Sequence, residues 1–238
     1  MLSFVFNGKD SFKDYGIFIE KRPNVPSPKR RVSYISIPGR NSSLRYDEET
    51  YEDITLSVEC AVIGNIQSKI DDIKAWLIGS GESDLIFSFQ SDKKYIAQVV
   101  NSIDFEVILK ITSRFVIIFN CRPFKYSVMN EVINITSGTG TSVLNRGTVK
   151  SRPLVKVYCS GNGAFVINNK EVKLIGIEKP YVVIDSELEE AYFVESGILS
   201  NANNYMSGEF PVLDVGNNIV TFNGGVSKLE ITPNWRWL

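Results

Sequence analysis

The chain contains no histidine in 238 residues. That removes imidazole acid–base catalysis, histidine-based triads and His-ligated zinc from consideration. Carboxylates, lysines, tyrosines and cysteines remain, so their spacing decides what chemistry is available. The run Tyr46-Asp47-Glu48-Glu49-Thr50-Tyr51-Glu52-Asp53 is rich in oxygen ligands. A calcium loop alternates its ligands around an obligatory glycine, and this run has none, so it reads as a solvated acidic loop. Ser186-Glu187-Leu188-Glu189-Glu190 offers carboxylates of the kind used in glycoside hydrolysis. Neighbours on a turn point in different directions, and the segment reads as a hairpin tip. The glycines of SGTGTSVLNRG (137–147) lack the lysine and following helix of a phosphate cradle. Cys60, Cys121 and Cys159 show neither CxxC spacing nor an even count, so buried free thiols are expected rather than a disulfide framework or a zinc site. These residues do not assemble into an active site. The sequence predicts no enzyme, no cofactor and no metal.

The segment KRPNVPSPKRR (21–31) carries five basic residues and three prolines. The formal net charge of the whole chain is −1, too little excess cation for a nucleic-acid backbone binder, so the segment reads as an extended solvated loop or subunit contact. With 43% hydrophobic and 22% charged residues the composition is globular. No apolar run approaches the ~20 residues that span a bilayer, and the start MLSFVFNGKD lacks the basic leader and apolar length of a signal peptide. A reducing cytoplasm is the expected folding compartment.

Most of the chain alternates with period two. Leu2, Phe4 and Phe6 lead to an Asn7-Gly8 turn; Ile54, Leu56, Val58 and Cys60 form a half-buried strand; Leu85, Phe87 and Phe89 turn at 91–94 and return as Tyr95, Ala97 and Val99. Arg114 to Cys121 (RFVIIFNC), with Phe115 and Phe119, is apolar on both faces and predicts a central strand covered on both sides. One stretch, 63–81, has helical spacing at Ile66, Ile70, Ile73, Trp76 and Leu77, with Asn65 as the expected cap; this helix should lie on a sheet and bury Trp76. Between about 125 and 150 the chain turns rich in Ser, Thr, Gly and Asn, as at a domain junction. Beyond it, short strands LVKVYC, AFVIN, EVKLIG, YVVID, AYFV, NIVTFN and SKLEIT are separated by Ser160-Gly161-Asn162-Gly163, Asn168-Asn169 and Gly224-Gly225. Phe222-Asn223-Gly224 reads as a hairpin turn. The expected architecture is mainly β, with an N-terminal domain over 1–130 containing one helix and a helix-free C-terminal β-sandwich over 131–238.

Several short stretches, taken in order, resemble the distal tail protein (Dit) family of long-tailed, non-contractile phages and prophages. FNGKDSFKDYGIFI (6–19) resembles the family's opening, and Ser36-Ile37-Pro38-Gly39-Arg40 its "IPGR" turn. Trp76-Leu77 falls where its helix carries this pair. Arg114-Phe115 with Cys121-Arg122-Pro123-Phe124 resembles its "GRF … PF" strand, with Ser113 in place of Gly. Asn145-Arg146-Gly147-Thr148, Ile184-Asp185-Ser186-Glu187, Gly208-Glu209-Phe210-Pro211 and Pro233-Asn234-Trp235-Arg236 continue the match to the end. The resemblance implies an N-terminal β-sandwich whose copies close into a hexameric ring, and a C-terminal galectin-like β-sandwich. It implies a structural protein of the virion tail tip, made in the bacterial host cytoplasm. The tail tube would lie above it, with the tail-associated (Tal) protein and receptor-binding proteins below. DNA would pass through the bore without specific binding, and no membrane is involved. Charge segregation adds a candidate ring contact: Lys29, Arg30, Arg31 and Arg40 facing Asp47, Glu48, Glu49 and Asp53 of a neighbour. Trp235 should pack inside the second domain, as Trp76, Phe115 and Phe119 do in the first. The alternative is a carbohydrate-binding module on the C-terminal half, with Tyr158, Tyr181, Tyr192, Tyr205 and Trp237 as its available aromatics.

Overall fold

Strands dominate because alternating apolar residues can bury one face of a sheet and wet the other. The computed structural model describes residues 1–63, 68–104, 106–109 and 112–238. They divide into two units, Met1–Val128 and Met129–Trp237.

The first unit begins with β1 (Phe4–Phe6) and β2 (Lys9–Asp10), joined through Asn7 and Gly8 with φ of 47° and 75°. Both left-handed residues fit a tight hairpin turn. Asp10 then accepts the N–H groups of Phe12 and Lys13 and starts a five-residue helix, α1 (Ser11–Tyr15), closed by Gly16 at φ 74°. This short helix was not legible as a 3.6-residue stripe because it is barely more than one turn. It delivers the chain into β3 (Ile17–Ile19). Next come β4 (Arg30–Ile35) and β5 (Leu44–Tyr51), β6 (Ile54–Ile63), α2 (Ile70–Gly79), β7 (Ser83–Phe87), β8 (Lys93–Val99), β9 (Glu106–Leu109) and β10 (Thr112–Ser127). The main sheet is antiparallel in the order β2-β1-β7-β8-β10-β6-β3, with β9 also on β10. It curls: the Ile19 N–H donates to the Leu2 carbonyl at 2.8 Å, bringing β3 back towards the first strand.

Register sets the core. β10 pairs with β6 from Thr112↔Ile63 to Cys121↔Ile54. Alternation then buries Phe115, Ile117, Phe119 and Cys121 beside Ile54, Leu56, Val58 and Cys60. The expectation of a strand covered on both sides is corrected here: β10 is central, but its other face, from Arg114 through Val116, is open, with Val116 42% exposed. Further along, the β8 register shifts between Cys121 and Lys125, where Pro123 has no N–H to give the ladder. α2 lies on the core through Ile73, Trp76 and Leu77, all buried. It begins after Lys69 without a side-chain cap; Asn65 and Ile66 lie outside the described residues. Among the described residues no helix is long and apolar enough to cross a membrane.

The second unit contains β11 (Ile133–Ile135), β12 (Thr141–Asn145), β13 (Leu154–Ile167), β14 (Lys170–Ile177), β15 (Val182–Asp185), β16 (Glu190–Glu195), β17 (Ile198–Asn201), β18 (Met206–Gly208), β19 (Gly216–Thr232) and a two-residue β20 (Arg236–Trp237). Its backbone order is β11-β19-β13-β15-β16-β17, with β12 on the first part of β19 and β14 and β18 continuing from the later part of β13. The glycine stretches expected to separate strands do not. β13 and β19 run continuously through them and pair with each other from Leu154↔Thr232 to Ile167↔Val220. The expected turn at Phe222-Asn223-Gly224 is likewise the middle of β19. Glycine serves close approach there: a Cβ on Gly225 would collide with the Ser160 carbonyl oxygen, and one on Gly163 with Val226. The ladder shifts register around Cys159 and Gly163, and both halves of the long strands feed one core, with Val155, Val157, Leu229 and Ile231 alongside Phe165, Ile167, Val172 and Leu174. The Glu187–Glu189 segment is indeed a hairpin tip between β15 and β16, held by the Asp185 carboxylate accepting the N–H groups of Glu187 and Leu188.

The C-terminal segment is tied to the 145–152 loop. Arg236 accepts the Thr148 N–H and donates from Nε to the Lys150 carbonyl, while the Asn234 amide donates to the Arg152 carbonyl. Trp235 is half-buried at the edge of the core rather than enclosed by it.

Candidate subunit interface

The β4–β5 hairpin forms its own two-stranded sheet. An isolated hairpin is marginal in water, and this one is braced by charge and by its base. Arg30 Nε donates to Asp47 Oδ1 at 2.8 Å, and Lys29 Nζ lies 3.2 Å from Glu52. Tyr51 meets the Phe124 ring edge-on at 5.6 Å between centroids. The Arg30 hydrogen bond, helped by the Glu49 N–H, holds the Asp47 carboxyl below its ordinary range; the same bond raises the Arg30 guanidinium. The acidic run is therefore strand rather than loop as far as Tyr51, with Asp47 paired opposite Val32 and Tyr51 opposite Arg30.

This placement bears on the residues expected at a ring contact. Lys29, Arg30 and Asp47 already have partners within their own chain, and Asp53 accepts a hydrogen bond from the Asn120 amide at 3.2 Å. Arg31, Arg40, Glu48 and Glu49 are exposed, and among the described residues none of the four makes an ion pair. The sequence reading missed the apolar half of the hairpin. Tyr34, Ile35, Ile37, Leu44 and Tyr46 are between 39% and 68% exposed, far from the usual treatment of such side chains. Cross-strand pairs Ile35↔Leu44 and Ser33↔Tyr46 put Ile35, Leu44 and Tyr46 on one face. The opposite face carries Tyr34↔Arg45 and Val32↔Asp47. The alternation in RRVSYI was the available signal, masked by the flanking charges.

Two clefts flank the open side of the main sheet. One, of about 460 Å³, is lined by Glu20, Glu59, Asp104, Asn101 and Arg114 among others; Arg114 Nε sits 2.7 Å from Glu20. The other, of about 400 Å³, lies between residues 21–26 and Thr55, Ser57 and Glu59 of β6. The proline-rich loop is thus laid over the sheet, with the Arg22 guanidinium 5.0 Å above the Phe89 ring. No group of three metal-ligating side chains comes together among the described residues. The thiols are buried; burial drives Cys60 far above its ordinary range and Cys121 up to about 12, so neither is a nucleophile.

In the second unit two of the aromatics expected for sugar stacking, Tyr158 and Tyr181, are covered by the chain's own cations, while Tyr205 is 40% exposed. Lys156 Nζ lies 4.0 Å from the Tyr181 ring centroid and 5.0 Å from that of Tyr158, with Lys228 5.4 Å from the latter. Glu230 accepts from both Lys228 and the Tyr158 hydroxyl.

Comparison with known proteins gives this arrangement a context. Residues 7–121 match the family described as phage tail protein RIFT-related domain. Over its full length the chain superposes on the whole of SPP1 Dit (gp 19.1), described as a paradigm of the hub adsorption apparatus in phages infecting Gram-positive bacteria, with a TM-score of 0.77 and 14% identity. No curated protein sequence matches the chain. The match covers most of the first unit, the chain as a whole has the Dit fold, and both agree with the sequence resemblance to siphophage distal tail proteins.

Proposed function

We propose that this phage tail protein is the non-enzymatic structural hub of a long, non-contractile tail tip. Six copies close into a ring that joins the tail tube above to the tail-associated protein and receptor-binding proteins below, and DNA passes through the bore. The protein resides at the virion tail tip after synthesis in the bacterial cytoplasm. Residues 1–130 form the ring and 131–238 the appended sandwich. The observation that carries this reading is the agreement between the family match over most of the first unit and the full-length likeness to a hub protein. The open, partly apolar hairpin and sheet face supply surface for subunit contacts. A carbohydrate-binding role for the second unit has less support, because Lys156 and Lys228 occupy the ring faces of Tyr181 and Tyr158, two of the five aromatics available for it.

The test is the mass of the purified chain by light scattering or native mass spectrometry. A closed species at six times 26.7 kDa is expected. A different closed stoichiometry would refute the hexamer, and a monomer that stays monomeric when mixed with its tail tube and Tal proteins would refute the hub.

A further inference from the structure

The sheet of the second unit ends in a strand without the usual guards of an edge. Among the described residues β17 (Ile198–Asn201) pairs with β16 alone. The two are joined by Ser196 and Gly197, with φ of 51° and 80°, the left-handed pair of a tight hairpin turn. Residues flanking such a turn, here Glu195 and Ile198, exchange both their hydrogen bonds, and alternation makes Phe193 and Ser200 the next such pair. The N–H and C=O groups of Leu199 and Asn201 therefore point away from the sheet. An edge of this kind is ordinarily kept very short or guarded by lysine, proline or a bulge. β2 and β11, at other ends of the two sheets, are two and three residues long. β17 has four residues and no such guard, and its Ile198 and Leu199 are 71% and 64% exposed.

A charge defect lies along the same hairpin. Asp185 on β15 stands directly opposite Glu190 on β16, a like-charge cross-strand pair that costs stability. The neighbouring carboxylates at the tip are compensated, Glu187 by Arg236 at 3.7 Å and Glu189 by Arg152 at 3.2 Å. Among the described residues Asp185 and Glu190 make no ion pair. The pairs Asp185↔Glu190, Tyr192↔Asn201 and Val194↔Leu199 put Asp185, Glu190, Asn201 and Leu199 on one face. A strand added to β17 would meet there, in order, an aliphatic side chain, an amide and two carboxylates.

We propose that β17 receives an extended segment of another protein, added antiparallel as a further strand. An apolar residue of that segment lies against Leu199, and a lysine or arginine, two side-chain steps before it on the same face, reaches Asp185 and Glu190. The backbone groups of Leu199 and Asn201 supply the hydrogen bonds, and the order of side chains supplies the selection. A second copy of this chain fits worse. Antiparallel self-pairing would set the two carboxylates beside the other copy's turn, where Lys179 is already held by Glu195 at 2.7 Å. The inference lies within the second unit and does not rest on the ring reading.

The experiment is hydrogen exchange of the full-length chain, read by mass spectrometry, with the synthetic peptide acetyl-Thr-Arg-Thr-Ser-Val-Leu-Val-amide at millimolar concentration as the probe. The amides of β17 are expected to slow in exchange, and the same peptide N-methylated at its leucine should lose the effect, because it cannot donate to the Leu199 carbonyl. A peptide with glutamate in place of arginine should bind the parent chain several-fold more weakly. Glu190→Lys, at an exposed position, should reverse that preference with the fold unchanged by circular dichroism. Absence of protection by the arginine peptide, or protection that survives N-methylation, would overturn strand addition. Equal binding of the arginine and glutamate peptides would overturn the basic partner. Protection of β17 that rises with protein concentration in the absence of peptide would identify the occupant as a second copy and overturn the proposal in that way.

Discussion

Trp76 Nε1 donates to the Phe6 carbonyl at 2.9 Å, and this bond ties α2 to the first strand of its unit. The indole is stacked on Tyr15 at 4.5 Å and on Phe4 at 5.8 Å between centroids. α1, α2 and β1 therefore converge on one side chain, which is 4% exposed. Trp76→Ala is expected to cost ~3–5 kcal/mol of unfolding free energy, as deletion of a buried aromatic does. Trp76→Phe keeps most of the apolar contact but leaves the carbonyl without its donor, for a loss of ~1–3 kcal/mol. Denaturant titration of both variants checks the order. Equal losses would mean that the hydrogen bond contributes nothing.

This part of the fold was legible in the sequence because periodicity reports burial directly. Ile70, Ile73, Trp76 and Leu77 could only be a helix stripe, and Leu85, Phe87, Tyr95 and Ala97 only a hairpin. The glycines of the second unit misled for a physical reason. Gly163 and Gly225 look like punctuation, yet they allow two long strands to approach where side chains would collide, and local sequence does not carry the identity of a distant backbone. The interface was half legible. Basic and acidic runs were visible, but whether Arg30 pairs within the chain or across copies depends on the register of β4 against β5. Hence the exposed Ile35, Leu44 and Tyr46 were read only once strands had been placed.

Asn218 is fully buried and satisfied on both sides of its amide. Its Oδ1 accepts the Asp214 N–H at 2.8 Å and the Asn168 amide at 3.0 Å, while Nδ2 donates to the carbonyls of Asp214 and Gly216. One side chain thus organises the loop entering β19 and the turn after β13. Asn218→Ala is expected to cost ~2–4 kcal/mol, because several buried groups lose partners together. Asn218→Asp should fare no better, since a carboxylate cannot donate to those carbonyls and is costly to bury. Thermal melts of the two variants decide; an Asp variant as stable as the parent would contradict the assignment of Nδ2 as donor.

Free-thiol chemistry offers a check on burial. Cys60 and Cys121 sit in the first core and Cys159 in the second, and burial raises all three thiols above their ordinary range. In native protein at pH 8, none should react with a maleimide within the time that denatured protein labels fully. Rapid labelling of Cys159 alone would show that the second unit opens locally, independently of the first.

The Arg30–Asp47 pair gives the hairpin a definite response to acid. Asp47 is depressed below its ordinary value, chiefly by the Arg30 hydrogen bond and then by the Glu49 N–H. A depressed carboxyl stabilises the folded hairpin above its unfolded pKa of ~3.9, and that contribution disappears as pH falls through the lower folded value. Carboxyl-detected NMR should therefore place the Asp47 midpoint below ~3.9, with hairpin amide protection declining over the same interval. Arg30→Gln should move the midpoint upward, with the Glu49 N–H retaining part of the depression. Because the pair is intramolecular, the variant should keep its oligomeric state at neutral pH while the hairpin becomes less acid-resistant. Loss of the oligomer in Arg30→Gln at pH 7, with Asp47 still titrating low, would instead place Arg30 at the contact between copies.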